Sequence, residues 1–266
     1  MKRVCFSLVC MLILAGSAAW ARGVHHDLEA AYLAAQAGDP AQAVRLYTRA
    51  IDRRGLGLHR LAVAHFNRAV ALRRLGLNRR ALADYNQAVE LWPSYARAYN
   101  NRGYLHLLMG DNVQALRDLS QSLALQPDNP LAHLGRGIAY QRMAMYDWAV
   151  KEFTRALEIN PNRPDAYQHL AWLLATCPQK KYRNGARAVG LARRALFISP
   201  SPMNYDALAA AYAEIGRYQM AVKNQRRAIA GLRGKGQGGY LNAFSHRLAL
   251  YRSGRPCRDS VPHTAP

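Results

Sequence analysis

Three consecutive blocks of the chain, residues 62–95, 96–129 and 130–163, align without a gap at 34 residues each. Pro93, Pro127 and Pro161 fall at one place in this frame, Ala81, Ala115 and Ala149 at a second, and Ala88, Ser122 and Ala156 at a third. A short unit repeated in tandem buries its apolar face against its neighbours, so the chain builds its core by stacking. The small residues let two antiparallel helices of one unit approach closely. The Pro stops the second helix before the next unit begins.

Within a block the order of residue types is specific. The third block places Tyr99, Gly103, His106, Gly110, Ala115, Leu119, Ser122 and Pro127 in series, and the fourth His133, Gly137, Tyr140, Ala149, Phe153, Ala156 and Pro161. This series resembles the tetratricopeptide repeat, and the resemblance extends to three flanking copies. The first contributes Ala31, Gly38, Ala43, Tyr47 and Ala50. The fifth contributes Tyr167, Ala171, Leu174, Ala188, Ala195 and Pro200, and the sixth Tyr205, Ala209, Tyr212, Gly216, Ala221 and Ala228. The fifth copy carries a long basic loop, TCPQKKYRNG, resembling a variant of bacterial members of the family. The resemblance implies an all-α, right-handed superhelical solenoid of about six helix-turn-helix repeats. Repeats are expected over 22–61, 62–95, 96–129, 130–163, 164–201 and 202–233, with a linker and capping helix over 234–254 and a disordered tail over 255–266. On the capping helix, Leu241, Phe244, Leu248 and Tyr251 share one face by periodicity.

The N-terminus follows a different pattern. MKR precedes the apolar run Val4–Ala15, and Ala19-Trp20-Ala21 forms a small-residue site. That is the layout of a secretory signal peptide over 1–21, cleaved after Ala21, and it predicts an exported, periplasmic protein. Retention of the run as an anchor is the alternative, although it is short for a membrane span. Cleavage takes the net charge from +21 to +19 and leaves Cys177 and Cys257, whose pairing the sequence leaves open.

Helix geometry sorts the remaining polar residues. On the first helix of each repeat the fourth, seventh, eighth and eleventh positions share a face. The seventh is Arg68, Arg102 and Arg136 in the second, third and fourth blocks, where the twenty-third is Asp84, Asp118 and Glu152. In the other copies the seventh is Ala30, Leu170 and Leu208, and the twenty-third Leu46, Leu191 and Asn224. Arg and acid occur together or not at all, so they read as structural ion pairs, since a buried Arg needs a partner. The opposite face of the first helices lines a concave groove in proteins of the resembled family. Here it carries Asn67 and Arg74, then Arg97, Asn100, Asn101 and Tyr104, then Arg142, among apolar residues and without an acid. Amides hold a peptide backbone and Arg favours carboxylates. The expected partner is a protein or peptide, acidic or ending in its C-terminal carboxylate. Asn67 and Asn101 match the family's terminal-carboxylate clamp, but Leu131 and Gly135 stand where it has basic residues.

A second basic feature competes for function. From Lys180 to Arg258 there are 16 Lys and Arg against Asp206 and Glu214. The alternative reading is therefore a polyanion- or membrane-surface-binding envelope protein; nucleic acid is not favoured, for lack of stacking aromatics. Against both stands the plainer reading of solvated charges. Signals for an enzyme, metal or cofactor are weak. Gly234-Lys235 lacks the spacing of a phosphate-binding loop, and His25-His26 reads as an exposed chain start. His65 and His133 occupy an aromatic core slot, and Trp148 and Trp172 read as packing residues. No catalytic residue is assigned, no metal and no cofactor. The expected function is a scaffold or adaptor for protein–protein interaction.

Overall fold

The computed structural model describes residues 23, 25–53, 55–232 and 238–258. The expected signal peptide, much of the expected linker and most of the tail lie outside them. The described residues form helices and turns without a β-strand. They divide into two compact units, ending and starting at Leu105 and His106.

The first unit holds α1 (residues 25–36), α2 (Pro40–Asp52), α3 (Leu58–Arg74), α4 (Asn78–Leu91) and most of α5 (Ala96–Met109). The second holds the end of α5, then α6 (Asn112–Leu125), α7 (Pro130–Arg142), α8 (Tyr146–Ile159), α9 (Pro164–Thr176), a 3-10 turn (Lys180–Tyr182), α10 (Gly185–Ile198), α11 (Pro202–Glu214), α12 (Tyr218–Gly231) and α13 (Gly238–Arg252). α3 packs on α4, α7 on α8, α9 on α10 and α11 on α12, so each pair is one helical hairpin. α9 also packs on α11, so first helices of successive hairpins lie side by side. The architecture is an all-α repeat solenoid.

Local chemistry explains the hairpin turns. Gly38, Gly76, Gly110 and Gly216 all take positive φ, between 74° and 84°, just after a first helix. This left-handed residue ends the helix, and it favours glycine because Cβ crowds the following carbonyl. The fourth repeat has Ala144 at that position, with φ 57°. Asp39 and Asp111 cap the helices that follow, accepting from the amides of Gln42 (2.8 Å) and Gln114 (3.1 Å). Pro93, Pro127 and Pro161 each lie two residues past the ends of α4, α6 and α8.

The small residues of the frame form the hairpin cores. Ala81, Ala88, Ala115, Ser122, Ala149 and Ala156 are wholly buried. A Cβ on Gly137 would sit 2.6 Å from the buried Phe153 ring, so that glycine sets the α7–α8 distance. The long loop of the fifth repeat is tied down by Arg183. It donates to the carbonyls of Cys177 (2.9 Å) and Pro178 (3.1 Å) and to Glu214 (2.9 Å). Cys177 and Cys257 are both buried, and no disulfide joins them.

The capping helix departs from the periodic reading. Phe244 and Tyr251 are buried, but Leu241 is exposed, and Arg247 between them is buried as well. Arg247 makes a bidentate pair with Asp206 of α11, at 2.8 and 2.9 Å. Its guanidinium lies 5.0 Å from the Trp172 ring centroid and 4.9 Å from that of Phe244. Gln225 donates to the same Asp206 (2.8 Å) and to the carbonyl of Phe244 (3.2 Å). An ion pair between aromatic rings, and not an all-apolar seam, holds α13 in place.

Candidate peptide-binding groove

The residues singled out above separate into a joint inside the fold and a lining outside it. The joint comes first. Arg68 on α3 holds Asp84 on α4 through both nitrogens of its fork, at 2.7 Å each. The third nitrogen donates to the Thr48 hydroxyl on α2 (3.0 Å), and His65 bonds the same carboxylate at 2.9 Å. The arrangement recurs one hairpin beyond α5. Arg136 on α7 donates to Glu152 on α8 (2.6 Å) and to Ser120 on α6 (3.4 Å), while His133 bonds Glu152 at 2.7 Å. Arg102 donates to Asn86 on α4 (2.9 Å), and Asp118 is buried with His106 3.8 Å away. Arg102 and Asp118 belong to different units, and each is described in its own.

Thr48, Asn86 and Ser120 share the twenty-fifth position of the repeat. Each accepts from the Arg of the following one, so Arg68 ties α2 to α4 and Arg136 ties α6 to α8. Burial alone would raise the Asp84 and Glu152 carboxyls, but the hydrogen bonds from Arg and His outweigh it and hold both below their ordinary values. His65 and His133 are thus hydrogen-bonded members of this joint and not apolar packing. The polar residue at position twenty-five, legible in all three blocks, is the signal that would have revealed the second half of the joint.

The groove lining is in the first unit. A cavity of about 300 Å³ is bounded by Asn67, Val70 and Arg74 of α3, Arg97 and Asn101 of α5, and Tyr32 and Gln36 of α1. Arg74 and Arg97 are the only charged residues of its lining. Arg97 lies 5.4 Å from the Phe66 ring centroid, which fixes the guanidinium at the rim. Arg74 donates one nitrogen to the carbonyl of Ala35 at the end of α1, 2.9 Å away. A second cavity of about 640 Å³ adjoins through Tyr32, Tyr47 and Asn67; Leu28, Val63 and Ala64 form its apolar wall, and His25, Glu29, His59 and Arg60 line the rest. Burial pushes the Tyr47 phenol up to about 12 against a hydrogen bond from Asn67, so it stays neutral and a donor at the seam.

Three residues expected in the groove, Asn100, Tyr104 and Arg142, line neither cavity. Asn100 is 5% exposed, and its fifth-position counterparts Phe66 and Leu134 are each 3% exposed. Phe66 shows why: its ring packs 5.0 Å from Tyr95 at the start of the next first helix. The fifth position therefore faces the neighbouring repeat, and the sixth, with Asn67 and Asn101, faces the groove. Asn100 donates weakly to Asn101 (3.4 Å). Arg142 lies in the second unit, where its guanidinium donates to the carbonyl of Leu107 at the end of α5. Arg74 makes the equivalent contact one hairpin pair earlier, so these two thirteenth-position arginines cap the preceding first helix. Tyr104 is half-buried on α5 and lines neither cavity. Trp172 is buried, but Trp148 is exposed beside Tyr140 and Lys151, unlike the packing residue expected. Among the described residues, no group of three or more His, Cys, Asp or Glu forms a metal-binding cluster, and no helix is long and apolar enough to cross a membrane.

Stacked helical hairpins with small-residue cores and glycine turns define an all-α repeat protein. Family models described as TPR repeat and tetratricopeptide repeat match residues 70–110, 96–129 and 130–163. The chain carries tetratricopeptide repeats over residues 70–163, and repeats of this family serve protein–protein interaction. Among solved structures it is similar to a tetratricopeptide repeat protein from Parabacteroides merdae, at 21% identity over 88% of each chain and a TM-score of 0.69. It is similar also to PilW, described as a widely conserved type IV pilus biogenesis factor, at 17% identity over 83% of this chain and 97% of that one, TM-score 0.66. Pseudomonas aeruginosa PilF matches at 17% identity over 86% of this chain and 99% of that one, TM-score 0.67. These identities speak to fold alone. A search of the curated proteins finds no match to the chain.

Proposed function

We propose that the chain is an exported adaptor that binds a partner protein through the first-unit groove. The ligand is an extended segment with a carboxylate, either an acidic side chain or the chain end. The observation that carries this reading is the cavity whose only charged lining residues are Arg74 and Arg97, with Asn67 and Asn101 between them. Each arginine keeps donors beyond its contact with the fold, and a guanidinium fork matches a carboxylate. The amides suit a peptide backbone, and the Leu28, Val63 and Ala64 wall of the adjoining cavity supplies apolar area to bury. Export rests on the charged start, apolar run and Ala19-Trp20-Ala21 site, with a mature chain beginning at Arg22 in the periplasm.

A displayed library of peptides with free C-termini, selected on the full chain, tests the reading. The wild type is expected to enrich carboxylate-bearing sequences. Arg97→Gln should weaken the enriched peptides about tenfold, as expected for a charge-assisted hydrogen bond. Enrichment of basic or uncharged peptides, or indifference to Arg97→Gln, would sink it.

A further inference from the structure

The sequence from Lys180 to Arg258 contains two acids, and the fold uses both. Asp206 is held by Arg247 at 2.8 and 2.9 Å. Glu214 is held by Arg183 at 2.9 Å and by Arg258 at 2.6 Å. These two acids therefore do not compensate the positive charges of the second helices α10 and α12. Neither helix contains an Asp or Glu, and Arg187, Arg193, Arg194, Lys223, Arg226 and Arg227 are all exposed.

Two of these cations, Arg193 and Arg227, lie against one face of α11. Arg193 donates to the Tyr212 hydroxyl at 2.7 Å, and Arg227 lies 5.8 Å from the Tyr205 ring centroid. Tyr205 and Tyr212 are seven residues apart and so share a face of α11, which brings α10 and α12 onto one basic surface. On that surface stands Phe197, 79% exposed. Its ring has the Arg194 guanidinium 5.3 Å from the centroid, and the same helix face carries Gly190, with open space where a side chain would be. A ring this exposed adds nothing to the core of a folded domain.

We propose that the α10–α12 face docks on an anionic phospholipid surface, with Phe197 entering the headgroup layer and the flanking arginines on the phosphates. Charge complementarity and one aromatic wedge fit a lipid interface, where weak apolar insertion and several cations act together. Nucleic acid fits less well. A single strand needs a succession of aromatic platforms, whereas Phe197 stands alone among the exposed aromatic residues of α10 and α12. This surface is separate from the groove, and the proposed export concerns only which membrane it meets.

Co-sedimentation of the full chain with vesicles decides the matter. One set is phosphatidylcholine alone and the other contains phosphatidylglycerol. Any pull of the apolar run Val4–Ala15 registers on both and is subtracted. The chain should bind the anionic set selectively and release as salt rises. Arg194→Gln with Arg226→Gln should weaken that binding about 30-fold, given the usual contribution of each basic residue near such a surface. Phe197→Ser should weaken it about tenfold at unchanged salt dependence. Equal partition to both vesicle sets, no binding, or indifference to these variants would overturn the proposal. So would tighter binding to a labelled single-stranded oligonucleotide, which would give the face to nucleic acid.

Discussion

Arg136 reaches two second helices at once, Glu152 on α8 and Ser120 on α6, and Arg68 does the same with Asp84 and Thr48. Such a residue resists the usual choice between surface charge and buried liability. Its side chain is about four-fifths covered, and its two terminal nitrogens each find an acceptor, Ser120 for one and Glu152 for the other. Removing it leaves Glu152 buried with only His133, so Arg136→Leu should cost about 2–3 kcal/mol in urea unfolding. Adding Glu152→Leu should recover about 1 kcal/mol or more, because the stranded carboxylate goes too. The same carboxylates set the response to acid. Their folded-state values lie below the ordinary 3.8 of Asp and 4.5 of Glu, so their stabilisation is complete above those values. It is lost as pH falls through the lowered ones, and the double variant should lose less stability in that range. The Arg–acid half of this joint was legible because the two residues co-occur within one chain's own repeats. The Thr48, Asn86 and Ser120 half was not, since hydroxyls and amides are unremarkable on any helix until their position in the frame is compared.

At the scale of elements, the hairpin turn is the most regular feature and Ala144 its exception. Four repeats place glycine in the left-handed turn and the fourth places alanine, at φ 57°. An L-residue there is strained by about 1–2 kcal/mol, partly offset by the greater unfolded freedom of glycine. Ala144→Gly should therefore raise stability by about 0.5–1 kcal/mol, seen as a higher thermal midpoint with unchanged helicity. Helix pairing and the small-residue cores were readable because steric constraints on close helices act on each residue separately. The face of α13 was not: an Arg at an inward position reads as solvent-facing unless Asp206, Trp172 and Phe244 are known to converge on it. Asn100 failed for a related reason. Helical periodicity gives a direction around the axis, while the burial of the fifth position depends on how far the neighbouring repeat leans over it.

For the whole molecule, the first unit supplies a groove with cations and amides, and the second a basic outer face with one exposed ring. In the proposed reading the first surface grips a partner and the second addresses an anionic boundary, as suits an adaptor. The identity of the partner does not follow from repeat geometry, because the frame conserves what packs and leaves the lining free to vary. The most direct measurement is site-specific photo-crosslinking in cells. A photoreactive side chain at Tyr32 or Asn101, on the groove lining, should trap a discrete partner band. The same side chain at Arg79, exposed on α4, should not. Arg74→Gln with Arg97→Gln should remove the band while the protein level holds. A band at Arg79 equal to that at Tyr32 and Asn101, or one indifferent to the loss of both arginines, would contradict the assignment of binding to the groove.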